Sequence, residues 1–119
     1  MQAQGKDING EARLIDAMAE RESHILDAGC GTGRVGGELV RRGHDVLGVD
    51  VDHVLIEHAE HDFPEGRWVV GDLSAEKIPE TGFDLAVSAG NVMGFLAPEG
   101  REPALRHIFE ALRPGGRLV

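Results

Sequence analysis

Short apolar runs alternate with stretches of helical spacing along most of this chain, and that alternation predicts its elements. Leu14, Ile15, Met18 and Ala19 share one stripe of the segment Glu11 to Glu20, which predicts a leading helix over about residues 9–20, capped by Asn9 or Asp7. His24-Ile25-Leu26-Asp27 is a short strand that runs into Gly29, Gly31 and Gly33. A helix is expected from about Arg34 to Arg42, burying Val35, Leu39 and Val40 and ending at Gly43. Asp45 to Asp50 reads as a second strand, and Asp52 as the cap of a helix carrying Val54, Leu55, Ile56 and Ala59.

Trp68-Val69-Val70 forms the third expected strand, ending at Gly71-Asp72, and Phe83 to Val87 the fourth. Pro103 suits the first turn of a last helix, whose Leu105, Ile108, Phe109 and Leu112 follow the i, i+3, i+4, i+7 rule. Pro114-Gly115-Gly116 then turns the chain into a fifth strand that has barely begun at Val119. Strands alternating with helices imply a parallel sheet with helices on its faces, so the fold class is α/β. The link Leu73 to Gly82 is short for a crossover holding a full helix. If the order is 3-2-1-4 it must reach roughly 22 Å, within the roughly 33 Å that ten extended residues span.

A length of 119 residues suits one domain, covering 1–119, with no linker, repeat or low-complexity tract. Apolar residues at 41% and charged residues at 28% are globular proportions, which argues against disorder or a membrane span. The first twenty residues lack the apolar core of a secretory leader, and Cys30 is the single cysteine, so a reducing, cytoplasmic setting is expected. The net charge of −9 disfavours nucleic acid as a partner, and no membrane partner is expected.

Chemistry concentrates in Asp27-Ala28-Gly29-Cys30-Gly31-Thr32-Gly33, an acid and three alternating glycines between a strand and a helix. Glycine lets backbone approach a ligand closely, and this turn sits at the carboxyl end of strand one, where open α/β sheets bind ligands. Gly31-Thr-Gly33-Arg-Val-Gly36 also satisfies the GxGxxG pattern of NAD-binding folds, and Asp50, nineteen residues beyond Gly31, fits either kind of nucleoside through its ribose hydroxyls. Asp27 separates the two, because its carboxylate would repel a diphosphate and attract a sulfonium and ammonium ligand. Asp72, at the end of strand three, is placed to accept from an adenine amino group.

Taken together, His24 to Arg34 with DxGxGxG, Gly48-Val49-Asp50, Gly71-Asp72-Leu73, Phe83 to Gly90 and Arg113-Pro114-Gly115-Gly116 resemble the class I S-adenosylmethionine (SAM)-dependent methyltransferases over nearly the whole chain. The resemblance implies a Rossmann-like, doubly wound parallel sheet of order 3-2-1-4-5, without the C-terminal antiparallel hairpin that completes that family's sheet. It implies a cofactor site made by Asp27, Gly29, Cys30, Gly31, Gly33, Asp50, Val51, Asp72, Leu73, Ser88, Gly90 and Asn91. In that site Asp27 would orient the ammonium, Asp50 the ribose hydroxyls and Asp72 the adenine amino group, while the Leu73 amide would meet a ring nitrogen. Ser88, Ala89 and Gly90 would lie by the sulfonium, with Asn91 towards the acceptor. The implied reaction moves a methyl group from SAM to a small-molecule acceptor, leaving S-adenosylhomocysteine. A noncatalytic SAM-binding or assembly fragment is the alternative, and an NAD-binding oxidoreductase half-domain a more distant one.

No catalytic side chain is named, because an activated methyl group needs alignment more than a base. Cys30 reads as a small residue fitting a tight loop, and Arg13 as an exposed helix arginine that could also reach the SAM carboxylate. His53, His58 and His61 lack the i, i+4 spacing that holds zinc on a helix, so no metal is expected. Asn91 lacks the following prolines of the DNA and protein amino-methyltransferases. Met93, Phe95 and Leu96 fit either an acceptor pocket or packing. An unpaired strand at the sheet edge invites self-association with another copy.

Overall fold

The computed structural model describes residues 23–88 and 98–118, so the leading helix, Arg13, Gly90, Asn91, Met93, Phe95 and Leu96 lie outside the described residues. Five strands, β1 (His24–Ala28), β2 (Asp45–Asp50), β3 (Arg67–Val70), β4 (Phe83–Val87) and β5 (Leu112–Leu118), form one sheet. Its order is β3-β2-β1-β4-β5, and every pairing is parallel. The helices are α1 (Arg34–Arg41), α2 (His53–Asp62) and α3 (Pro98–Ala111).

Both faces of the sheet are covered, which is why its strands read as continuous apolar runs. On one face Ile25, Val46, Trp68, Leu85 and Val87 meet Val35 and Leu39 of α1 and Ile56 and Ala59 of α2. On the other, Leu26, Ala28, Leu47, Val49, Phe83 and Ala86 meet Ala104, Ile108 and Ala111 of α3. The β3–β4 connection crosses this second face, sinking Leu73 and Ile78 into the same cluster. It carries a single turn, in which the Ala75 and Glu76 amides donate to the Asp72 carbonyl at 3.1 and 2.9 Å.

Three expectations at the carboxyl end of the chain are corrected. Pro103 is interior to α3, not in its first turn, since the helix begins at Pro98. The stripe α3 buries is Ala104, Ile108 and Ala111, whereas Phe109 is 55% exposed and Leu112 already belongs to β5. The small side chains of Ala104 and Ala111 flank Ile108 on the face turned to the sheet, and Phe109 lies off it. The fifth strand occupies Leu112 to Leu118, not a first residue near Val119. Gly115 at φ 82 throws a bulge, so that Phe83 pairs with Leu112 but Leu85 with Arg117. Two smaller differences lie in α1 and α2: Val40 is only partly buried, and Val54 is 47% exposed.

At the amino ends of the strands a polar network ties the sheet together. Arg67 bridges Asp45 at 2.9 Å and pairs with Glu80, whose carboxylate also accepts from His24 Nε2 at 2.8 Å. Asp84 accepts from the His24 amide at 2.8 Å and from Arg113 Nε at 2.5 Å, joining β1, β4 and β5. The hydrogen bond from Arg67 holds the Glu80 carboxyl below its ordinary range, and the His24 amide followed by Arg113 does the same for Asp84. Because these pKa values are lower in the folded state, the stabilisation is complete above the ordinary carboxylate range near pH ~4 and is lost as pH falls below it. Urea denaturation across that window should show stability dropping with acid. Asp84→Asn should flatten the slope, and an unchanged slope would remove Asp84 from this role.

Candidate functional site

The site is built where the carboxyl tips of β1, β2 and β3 lie side by side. Register places Asp27 opposite Gly48 and Asp50 opposite Val70. The loop after β1 folds over β2, with the Gly29 and Cys30 amides donating to the Val49 carbonyl at 2.8 and 3.0 Å. Gly29, Gly31 and Gly33 have φ of 75, 57 and 83, angles that L side chains rarely adopt. A Cβ added at Gly31 would meet nothing within 4 Å, so this position borders open space above the sheet. Beneath the loop lies Trp68, only 3.1 Å from where a Cβ on Gly33 would stand and 2.3 Å from one on Gly48. Its indole N–H donates to the Phe63 carbonyl at 2.8 Å, fixing the ring as a pedestal.

Asp50 links the loop to β2. Its Oδ2 accepts from the Gly31 amide and its Oδ1 from the Asp52 amide, both at 2.9 Å. A carboxylate offers about four acceptor positions, so roughly two remain for hydroxyl donors. Val51, beside it, is 64% exposed. The Gly71 amide donates to the Asp50 carbonyl at 2.9 Å and joins the tips of β2 and β3. Asp52 caps α2, as the spacing predicts, accepting from the Val54 and Leu55 amides.

Next to these tips a cleft of about 290 Å³ is lined by Val49, Val69, Val70, Gly71, Asp72, Leu73, Glu76, Lys77, Ile78 and Pro79. That volume is near the low end of the roughly 300–1,000 Å³ of small-molecule clefts. Asp72 Oδ1 accepts from the Ser74 hydroxyl at 2.7 Å and the Ser74 amide at 2.9 Å, and these bonds hold its carboxyl below the usual range. The Asp72 amide in turn donates to Glu76 Oε1 at 3.0 Å. The turn therefore keeps Asp72 ionised and fixed at the rim.

The remaining sequence-predicted residues are placed as follows. Asp27 is buried, with Oδ2 lying 2.7 Å from where a Cβ on Gly36 would stand, so its carboxylate faces the first turn of α1. Cys30 turns its thiol into the core, where burial, with smaller contributions from Asp27 and Asp50, pushes its pKa up and keeps it neutral. Only its backbone can border a ligand. Ser88 follows the tip of β4 and is half-buried. Among the described residues, no group of three His, Cys, Asp or Glu is gathered as a metal site.

Sequence reasoning passed over Trp68, Ser74 and Glu76. The Asp-x-Ser pattern at residues 72–74 was a usable signal for the turn. The role of Trp68 is visible only once Gly33, Gly36 and Gly48 are seen to surround its ring.

An open parallel sheet carrying a glycine turn and three acids at neighbouring strand tips defines an α/β protein of the nucleoside-binding class. The Methyltransferase domain family model matches residues 25–116, and the chain belongs to this family of class I SAM-dependent methyltransferases. Its structure superposes on the crystal structure of a TehB-like SAM-dependent methyltransferase from Corynebacterium glutamicum with a TM-score of 0.90 and 68% identity, covering 92% of this chain and 59% of that one. It is 32% identical over 109 residues to an uncharacterized methyltransferase of Mycobacterium tuberculosis, covering 89% of this chain and 54% of the relative. It is also 32% identical over 122 residues to a demethylmenaquinone methyltransferase of Thermus thermophilus, covering 97% and 54%. The chain thus spans between half and two thirds of the length of these relatives.

Proposed function

We propose that this chain binds SAM at the tips of β1, β2 and β3 and serves methyl transfer to a small-molecule acceptor. The observation that carries the reading is the Gly31–Asp50 hydrogen bond, which places a fixed carboxylate beside a backbone turn with open space above it. When bound, SAM supplies a sulfonium-activated methyl group. Asp50 orients the ribose with its free acceptor positions, and Asp72 and the Leu73 amide read the adenine edge. Asp27 contributes negative charge from beneath the loop, and the backbone of Gly29, Cys30, Gly31 and Gly33, with Val51, borders the ligand. Ser88, which follows β4, extends the site towards the methyl group, and Gly90 and Asn91 lie outside the described residues. The acids suit a cationic ligand and oppose a diphosphate, which favours SAM over NAD.

Calorimetric titration with S-adenosylhomocysteine and with NAD tests this reading: the first should bind and the second should not. Asp50→Ala should weaken S-adenosylhomocysteine binding by about 1 to 3 kcal/mol, because charge-assisted bonds to both ligand and loop are lost. Unchanged affinity would take Asp50 out of the site. Methyl transfer to a panel of small metabolites separates an enzyme from a module that only binds. One of these relatives is named for demethylmenaquinone and the other two name no acceptor, so the panel should span O-, N- and C-nucleophiles.

The net charge of −9 supports an acceptor other than nucleic acid. Among the described residues no helix is long and apolar enough to cross a membrane; a cytoplasmic setting is supported by the single cysteine. Self-association would use the outer edge of β5, which among the described residues has a neighbour on one side only. Pro114, Arg113 and Arg117 blunt that edge, so the association should be weak. Light scattering should show dimers only at high concentration, and a strict monomer throughout would exclude it.

A further inference from the structure

His107 lies on α3, outside the lining of the cleft, yet its Nδ1 is 2.6 Å from the Leu73 carbonyl oxygen. A carbonyl can only accept, so Nδ1 carries the proton. This hydrogen bond ties α3 to the β3–β4 connection. The peptide group that His107 grips is Leu73–Ser74, and the amide on its other side donates to Asp72 Oδ1 at 2.9 Å. One rigid peptide plane therefore connects the imidazole to the carboxylate at the rim. No described residue accepts from the Leu73 amide, and its side chain, 5% exposed, is locked in the core.

The geometry points to His107 as a positioning residue that sets adenine selectivity, by holding the Leu73–Ser74 peptide so that its Ser74 amide keeps the Asp72 carboxylate facing the base edge. Loss of the ring donor frees the peptide to rotate, and rotation uncouples Asp72 from Ser74. The base edge then meets a carboxylate without a fixed direction. The inference rests on the site reading above, because it concerns the adenine end of that same site.

The test compares wild type, His107→Phe and His107→Asn by calorimetry with S-adenosylhomocysteine and with S-inosylhomocysteine, which replaces the 6-amino group by an oxo group. Wild type should prefer the adenine ligand. His107→Phe should lose about tenfold in affinity for it and bind the two ligands nearly alike, while His107→Asn, whose amide donor stands near the Nδ1 position, should restore the preference. A preference preserved in His107→Phe, or both ligands weakened by one factor, would overturn the assignment while leaving the site reading intact. Wild-type protein that binds neither ligand would overturn both. Should His107→Phe fail to fold, nitrogen NMR of the wild-type imidazole replaces it. The Nδ1–H resonance should shift on saturation with S-adenosylhomocysteine, and a resonance indifferent to the ligand would overturn the proposal.

Discussion

Gly48→Ala is expected to destabilise the fold by about 3 kcal/mol, towards the upper end of what overpacking a core costs. The added Cβ would stand 2.3 Å from Trp68 Cε3 and 2.9 Å from Cys30 Sγ. The indole cannot retreat, because Gly33 and Gly36 of the loop and first turn lie against its far edge and its N–H is held by the Phe63 carbonyl. Urea denaturation of the purified variant measures the cost. Combining it with Trp68→Leu should cost clearly less than the two single changes added together, since the smaller side chain removes the clash. A Gly48→Ala protein within about 0.5 kcal/mol of wild type would mean that the ring is not wedged.

Gly31→Val should reduce S-adenosylhomocysteine affinity by more than about a hundredfold while leaving a folded protein. Its φ of +57 makes a β-branched residue there strained, at roughly 1–2 kcal/mol, but the new Cβ meets no atom within 4 Å beyond its chain neighbours and the side chain projects into the space assigned to the ligand. Gly43→Val supplies the control, because Gly43 also has positive φ and open surroundings but follows α1, away from the strand tips. Its stability should fall by a similar amount with binding unchanged. Normal binding by Gly31→Val would mean that the loop faces something other than the cofactor.

Much of this architecture was legible because it is written in local signals. A parallel sheet covered on both faces needs strands rich in apolar residues, and Ile25–Leu26, Val46–Val49 and Leu85–Val87 are runs of that kind. The glycine turn was legible because only glycine occupies positive φ without strain, and the acids because each ends a strand. The helix α3 was less so. Residue spacing defines a stripe but not which flank a sheet accepts, and the large Leu105 and Phe109 masked the small Ala104 and Ala111 that flank Ile108 on the buried face. The path of β5 through Arg-Pro-Gly-Gly could not be read either, since a bulge takes its meaning from the strand it opposes.

Side-chain reach explains the rest. His44, between α1 and β2, is buried and accepts from the Ser23 amide at 3.1 Å, a tie across 21 residues that no local signal marks. Trp68 and His107 act on backbone groups distant in sequence, so no motif announces them. Of the candidate site, the glycine turn and the strand-tip acids were legible in sequence, whereas the residues that hold them in place were not.

The separation of the Arg67–Glu80–Asp84 network from the glycine turn divides the sheet into two poles with different tolerances to change. One pole fastens strands to each other and gains nothing from novelty; the other carries loops whose residues can be exchanged without loosening that fastening. A substitution at the glycine turn, such as one at Gly31, therefore leaves these interstrand joints intact, and one at Asp84 leaves the rim of the cleft unchanged.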